Sequence, residues 1–230
     1  MKLVALSTIG FLAMTGVVCA EEGKSVSDRL DSAHSVLVDM TKMSDKGIPT
    51  DLIQKAQCIV VVPGLKKGGF IVGAKYGKGF LSCRKKSGAG WTAPGSVRIE
   101  GGSFGLQIGA SAVDIILLVM NEAGEKKLLS SKFTIGGEAS AAAGPVGRDT
   151  SAQTDAAMTA EILSYSRSRG IFGGISLQGA TLRQDLDDNA GLYGKQITNQ
   201  EIANGAVKPS APYGVNFVTT LNHLSKVKKS

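Results

Sequence analysis

Apolar and polar residues change rhythm several times along this chain, and each change marks a new element. Val26, Leu30, Ala33, Leu37 and Met40 recur at alternating spacings of four and three, the single apolar stripe of a helix packed on one side. Ser25 followed by Asp28 reads as a cap at its start, and Gly47-Ile48-Pro49 ends it. Pro49 then opens a short second helix over 50–56. From Cys58 the period shortens: Cys58–Val62, Phe70–Ala74 and Phe80–Cys83 are brief apolar runs separated by Gly, Pro and Lys. This pattern predicts a meander of three small antiparallel strands with tight turns. Ser96–Glu100 reads as a further strand, and the stretch through Asn121 as two strands or a strand with a bend.

The second half is less regular. A short helix is expected over 125–131, strands over 133–143 and 156–169, and another after a glycine bend over 170–182. Beyond Asp185 the chain turns polar, with Thr198 and Glu201 placed to cap a short helix. Lys208–Pro212 leads to a terminal helix bearing Phe217, Leu221, Leu224 and Val227. Asp114 falls inside an apolar run, where a buried carboxylate needs a partner such as an arginine or backbone amides. The fold class expected is α+β. It is one glycine-rich, mainly antiparallel β domain, a twisted sheet or partly closed barrel, with an N-terminal amphipathic helix and short C-terminal helices.

Charge sharpens this picture. The 230 residues carry a net charge of +7, and residues 52–99 hold nine Lys and Arg but no Asp or Glu. The expected turns are basic: Lys66, Lys67, Lys75, Lys78, Arg84, Lys85 and Lys86. A patch of one sign points to an anionic partner, and lysines that discourage strand pairing are the plainer alternative. Phe70 and Trp91 are the candidate side chains for insertion into a membrane surface. The N-terminal helix has a slightly acidic polar face, which favours packing on the sheet over lying on a membrane.

The first twenty residues read as a secretory signal peptide cleaved after Ala20, with Lys2, an apolar run and a small-residue cleavage site. The mature domain is then 21–230, exported to the periplasm or beyond and peripheral to the membrane. Nucleic acid is not an expected partner. Cys58 and Cys83 survive processing, and an even count in an oxidising compartment predicts a structural disulfide.

Catalytic signatures are missing. His34 and His223 have no ligand-spaced companions, so no metal or other cofactor is expected. No G-x-S-x-G elbow marks a nucleophile. GAKYGKG is one residue short of a phosphate loop and ends in Gly79 where a hydroxyl belongs, and GGSFGLQIG fails the dinucleotide spacing. A non-enzymatic binding domain is the expectation.

Several phrases taken in order resemble one family. They are LIQKAQCIVVVPGLKKGGFIVGAKYGKG, GWTAPGSVRIEGGSFGLQIGASAVDIILLVMN, KFTIGGEASAAAGPVGR, ILSYSRSRGIFGGISLQGATL and LYG. Together they resemble the SYLF-domain family over about residues 48–194, leaving 195–230 as a helical extension. The resemblance implies binding of phosphoinositides and other anionic phospholipids, and in some members actin. Here the N-terminal helix is not basic and no second module is read in the chain. The expected site is therefore the Lys66–Lys86 turns, with phosphatidylglycerol or cardiolipin as the expected lipids and actin not expected. A homo-oligomer would strengthen such docking. The alternative is an exported structural protein docking an acidic protein or a cell-wall polymer. Arg148, Tyr165, Ser166 and Ser168 lie in family motifs, with turn or packing roles expected.

Overall fold

The structure is a computed structural model that describes residues 25–42, 47–145, 159–168, 171–173 and 177–226; of 69–72, 103–110 and 171–173 it describes the backbone only. The expected signal peptide, Arg148 and Val227 lie outside the described residues.

Two long strands dominate: β1 (Cys58–Cys83) and β2 (Gly95–Val119). They pair antiparallel from Cys58↔Val119 to Leu81↔Gly95, with irregularities at Val62/Leu65 and Gly69/Ile71. The expected three-strand meander is therefore not formed; its three runs are parts of one continuous strand. Glycine mid-strand does not end pairing when the neighbouring backbone keeps its ladder. Here the β2 backbone supplies that ladder throughout.

The ribbon doubles back on itself. Gln57 N–H donates to Val119 O at 2.7 Å, and Arg84 N–H donates to Gln57 O at 2.7 Å, so the two ends of β1 lie side by side. The expected disulfide forms there, between Cys58 and Cys83, with a Cα–Cα distance of 4.0 Å. Closing a loop of 25 residues contributes roughly 3–4 kcal/mol in the chain-entropy description. Gly64 begins the turn-back with φ +58°, a conformation that favours glycine, and its N–H donates to Asp114 Oδ1 at 3.0 Å.

The remaining strands add to the two flanks of the doubled ribbon. The late part of β2 pairs with β5 (Ile162–Ser168), which is flanked by parallel β4 (Ala141–Ala143) and antiparallel β6 (Ile171–Gly173). The early part of β2 pairs with β7 (Thr181–Gln184), followed by β3 (Lys132–Thr134). The result is a mainly antiparallel sheet curled into a half-barrel. Among the described residues, β2 pairs between 101 and 113 only with β1, and this stretch with its β1 partner is the flap.

Alternation along each strand sorts residues onto two faces. Val60, Val62, Leu65, Leu81, Val97, Ile99, Ile115 and Leu117 line the concave face. Ile59, Val61, Phe80, Ile116, Leu118 and Tyr165 form the convex face, which α1 (Val26–Lys42) and α6 (Tyr213–Leu224) cover. The expected stripe of α1 is buried there. Ser25 caps α1 by accepting from Asp28 N–H at 3.1 Å. Helix α2 (Thr50–Lys55) precedes β1, and α3 (Glu122–Leu128) closes the disulfide end of the concavity. Helix α4 (Leu186–Tyr193), which the polar sequence did not predict, is capped by Asp185. Helix α5 (Asn199–Ala203) has the expected capping box of Thr198 and Glu201. Asp114 has the expected arginine: Arg167 Nη2 lies at 2.9 Å and also reaches Asp39, linking sheet to α1.

Candidate docking face

The seven basic candidates fall into three places with different chemistry. Lys78 and Arg84 are tied into the fold. Lys78 Nζ lies 2.9 Å from Asp185 and 3.3 Å from Asp188. Arg29 meets Asp188 at 2.6 Å, and Arg98 pairs with Glu100 at 2.8 Å. The cluster binds β1, β2, α1 and α4 together. Partial burial works against the Lys78 charge, yet the two carboxylates outweigh it and raise its affinity for the proton. Arg84 donates to Ile53, Gln54 and Ala56 carbonyls at the end of α2, and burial lowers its pKa. Its guanidinium also sits 4.4 Å from the Trp91 ring centroid.

Trp91 is thus corrected from an insertion candidate to a core residue. It is 0% exposed, and its indole N–H donates to Ser225 Oγ at 2.9 Å. The Phe70 side chain lies outside the described residues.

Lys85 and Lys86 are exposed in the connection between β1 and β2, at the disulfide end. Lys86 faces Glu125 of α3 electrostatically. The Glu125 carboxyl is pushed up by burial and then by Glu122, which Lys86 partly offsets.

Lys66, Lys67 and Lys75 lie on the flap. By strand alternation Lys67 shares the inward face of Leu65, and Lys75 shares the face of Gly77, Leu81 and Cys83. The two limbs meet at their base, where a Cβ on Gly77 would come within 2.7 Å of Leu65 Cδ1. Lys67 and Lys75 therefore face one another inside the crook of the doubled ribbon. Partial burial lowers the Lys67 pKa, and the Lys75 charge lowers it further. Lys66 points to the opposite side and is exposed. Roughly 30 Å of strand path separates Lys75 from Lys85, so the basic residues do not form one continuous patch.

Sequence reasoning passed over Tyr76. It is 47% exposed beside Lys75, one of three large hydrophobic side chains that are exposed among the described residues. The alternation of aromatic and lysine in AKYGK was the available signal. No helix among the described residues is long and apolar enough to cross a membrane.

The class of domain that the fold defines is a curled, mainly antiparallel half-barrel with helices on its convex face. Comparison with known proteins gives the family. The Ysc84 profile, described as "Las17-binding protein actin regulator", matches residues 100–224. LAS seventeen-binding protein 3 of Saccharomyces cerevisiae is 27% identical over 194 residues, covering 81% of this chain and 42% of that protein. SH3 domain-containing YSC84-like protein 1 of Rattus norvegicus is 33% identical over 185 residues, covering 78% and 54%. The Xenopus laevis protein of that name is 32% identical over 182 residues, covering 76% and 54%. This chain belongs to the SYLF (Ysc84) family. It spans about half the length of the curated relatives it matches.

Proposed function

We propose that this chain is a non-enzymatic docking module for anionic phospholipid surfaces, with its contact face on the flap of the half-barrel. The observation that carries the reading is the opposition of Lys67 and Lys75 inside the crook. Burial and the Lys75 charge both disfavour the Lys67 cation, and a phosphate beside the pair would favour it instead. Lys66 adds a third cation on the outer side, and Tyr76 supplies an amphipathic ring of the kind that settles at a lipid–water boundary.

Each lysine near an anionic leaflet is worth about 1 kcal/mol. Three give only ~3 kcal/mol, weaker than a millimolar Kd, so useful affinity comes from several copies engaging one surface. In keeping with the signal-like N-terminus, the proposed setting is outside the cytoplasm, with phosphatidylglycerol or cardiolipin as headgroups.

The test is vesicle co-sedimentation with phosphatidylglycerol or cardiolipin against zwitterionic lipid, at low and high salt. The triple variant Lys66→Gln, Lys67→Gln, Lys75→Gln should lose binding, whereas Lys85→Gln, Lys86→Gln should keep it. Binding unchanged at about 0.5 M salt, or equal binding to zwitterionic vesicles, refutes the reading. The relatives' names favour a second one, in which the same lysines dock an acidic protein. Lysine-dependent capture of such a partner without vesicle binding would select it.

A further inference from the structure

The disulfide end of the concavity brings together three potential ligand residues that are far apart in sequence. Cys58 Sγ begins β1, Cys83 Sγ ends it, and the Glu125 carboxylate comes from α3. These donor atoms all lie within 4.8 Å of one another, the two sulfurs fully buried and the glutamate half-buried. Among the described residues no hydrogen bond reaches the Glu125 carboxylate. The trio combines two soft sulfurs with one half-buried carboxylate, which Lys86 faces electrostatically. It is the donor set of a thiophilic metal site once the sulfurs are thiolates.

We propose that reduction of the Cys58–Cys83 bond turns the closed end of the half-barrel into a site for one zinc-class divalent cation. The cation is held by the two sulfurs and Glu125. Two equivalents of a thiol reductant supply the electrons: the Cys58–Cys83 bond breaks to two thiols, and the reductant leaves as its own disulfide. The cation then displaces both thiol protons to solvent. Zinc–sulfur bonds of about 2.3 Å set the sulfurs somewhat under 4 Å apart, so after reduction they part from their bonded separation, while a Glu125 oxygen already lies within 4.8 Å of both. A fourth position remains for water on the partly exposed side of Glu125.

The site also has a structural consequence. The same two sulfurs hold the ends of β1 together in either redox state, through a covalent bond in one and through the cation in the other. The doubled ribbon is thereby preserved when the disulfide is lost. This inference does not depend on lipid docking.

The experiment is cobalt(II) titration of the purified chain carrying Cys19→Ser, oxidised and reduced, followed by the thiolate-to-cobalt charge-transfer band and by near-UV circular dichroism. The oxidised chain should give no band and the reduced chain one equivalent, displaced by zinc. Cys58→Ser should abolish the band. Glu125→Gln should keep it but weaken affinity at least tenfold. Should reduction alone loosen the fold, cobalt should restore the near-UV signal. A reduced chain that takes up no cobalt, folded or not, overturns the proposal. So does a Glu125→Gln variant that binds as tightly as the parent.

Discussion

Gly79→Ala tests the doubling of β1 directly. In a flat meander this glycine would sit at a turn edge and tolerate a methyl group. In the structure it faces the first limb of its own strand, and an added Cβ would lie 2.8 Å from Val62 Cα and 2.8 Å from Val62 Cγ2, with the Val61 carbonyl oxygen closer still. Ordinary contact begins at 3.4 Å, so the limbs must part by more than half an ångström. The obstacle is mainly backbone and cannot rotate aside. Overpacking of this kind costs about 1–3 kcal/mol, and the upper end applies because Cys58–Cys83 resists the parting. Reduced freedom of the unfolded chain returns under about 1 kcal/mol, leaving a net loss of about 2 kcal/mol. Urea unfolding at neutral pH is the assay, and the midpoint should fall by about 1 M for a slope near 2 kcal/mol/M. Gly68→Ala is the control. Nothing lies within 4 Å of its added Cβ, and its stability should stay within about 0.5 kcal/mol of the parent. A Gly79→Ala chain as stable as the control would mean that the limbs do not meet.

Lys78→Met should destabilise the protein by about 2 kcal/mol, because Asp185 is 2% exposed in its side chain and would keep only the Asp188 amide and a distant Arg98. The pH profile should follow the same cluster. Burial opposes the Asp185 charge, but Lys78, the Asp188 amide and Arg98 together lower its pKa. Its stabilisation is present above about pH 4 and lost as pH falls through the depressed folded value. The Lys78 share is present below about pH 10 and lost as pH rises past its elevated value. In Lys78→Met the acid-side loss should shrink, as read by unfolding at several pH values. Lys67→Met should act in the opposite direction and raise the urea midpoint slightly, by about 0.5 kcal/mol because much of the side chain is in solvent. Removing a cation whose pKa is lowered by burial and by Lys75 relieves a cost present below the folded pKa.

Where local chemistry decides an element, the sequence was readable. The α1 stripe, the Ser25 and Thr198 caps, the arginine partner of Asp114 and the cysteine pair all rest on neighbours or on a single pairing rule. The ribbon was misread because glycine has two uses. Gly77 and Gly79 looked like punctuation, yet they are thin places that let one limb of β1 approach the other. Only the β2 partner tells a turn from a close approach, and that partner is remote in sequence. The same ambiguity governed the cations. Charge density over 52–99 was visible, but not that Lys78 and Arg84 have partners at positions 185, 188 and 53–56. Trp91 looked like an exposed anchor between glycine and proline because its hydrogen-bond partner, Ser225, is near the C-terminus. Helix α4 has too few apolar positions to show a stripe, and it exists because Asp185 caps it and Asp188 meets Lys78 and Arg29.

The two ends of the half-barrel then divide the work. At the closed end, backbone bonds between Arg84, Gln57 and Val119, the disulfide and α3 converge, so the ends of β1 have little freedom. At the flap, among the described residues, β2 pairs only with β1 over 101–113, and burial together with the Lys75 charge disfavours the Lys67 cation. A phosphate docked there, as proposed, would offset that cost. A ribbon with both its ends tied also holds the lysines in register, so less ordering entropy is lost on docking than from a free loop. Rigidity at the closed end and repulsion at the flap are therefore coupled through one pair of strands. That coupling is why we propose the crook, rather than the more exposed Lys85 and Lys86, as the place where a phosphate docks.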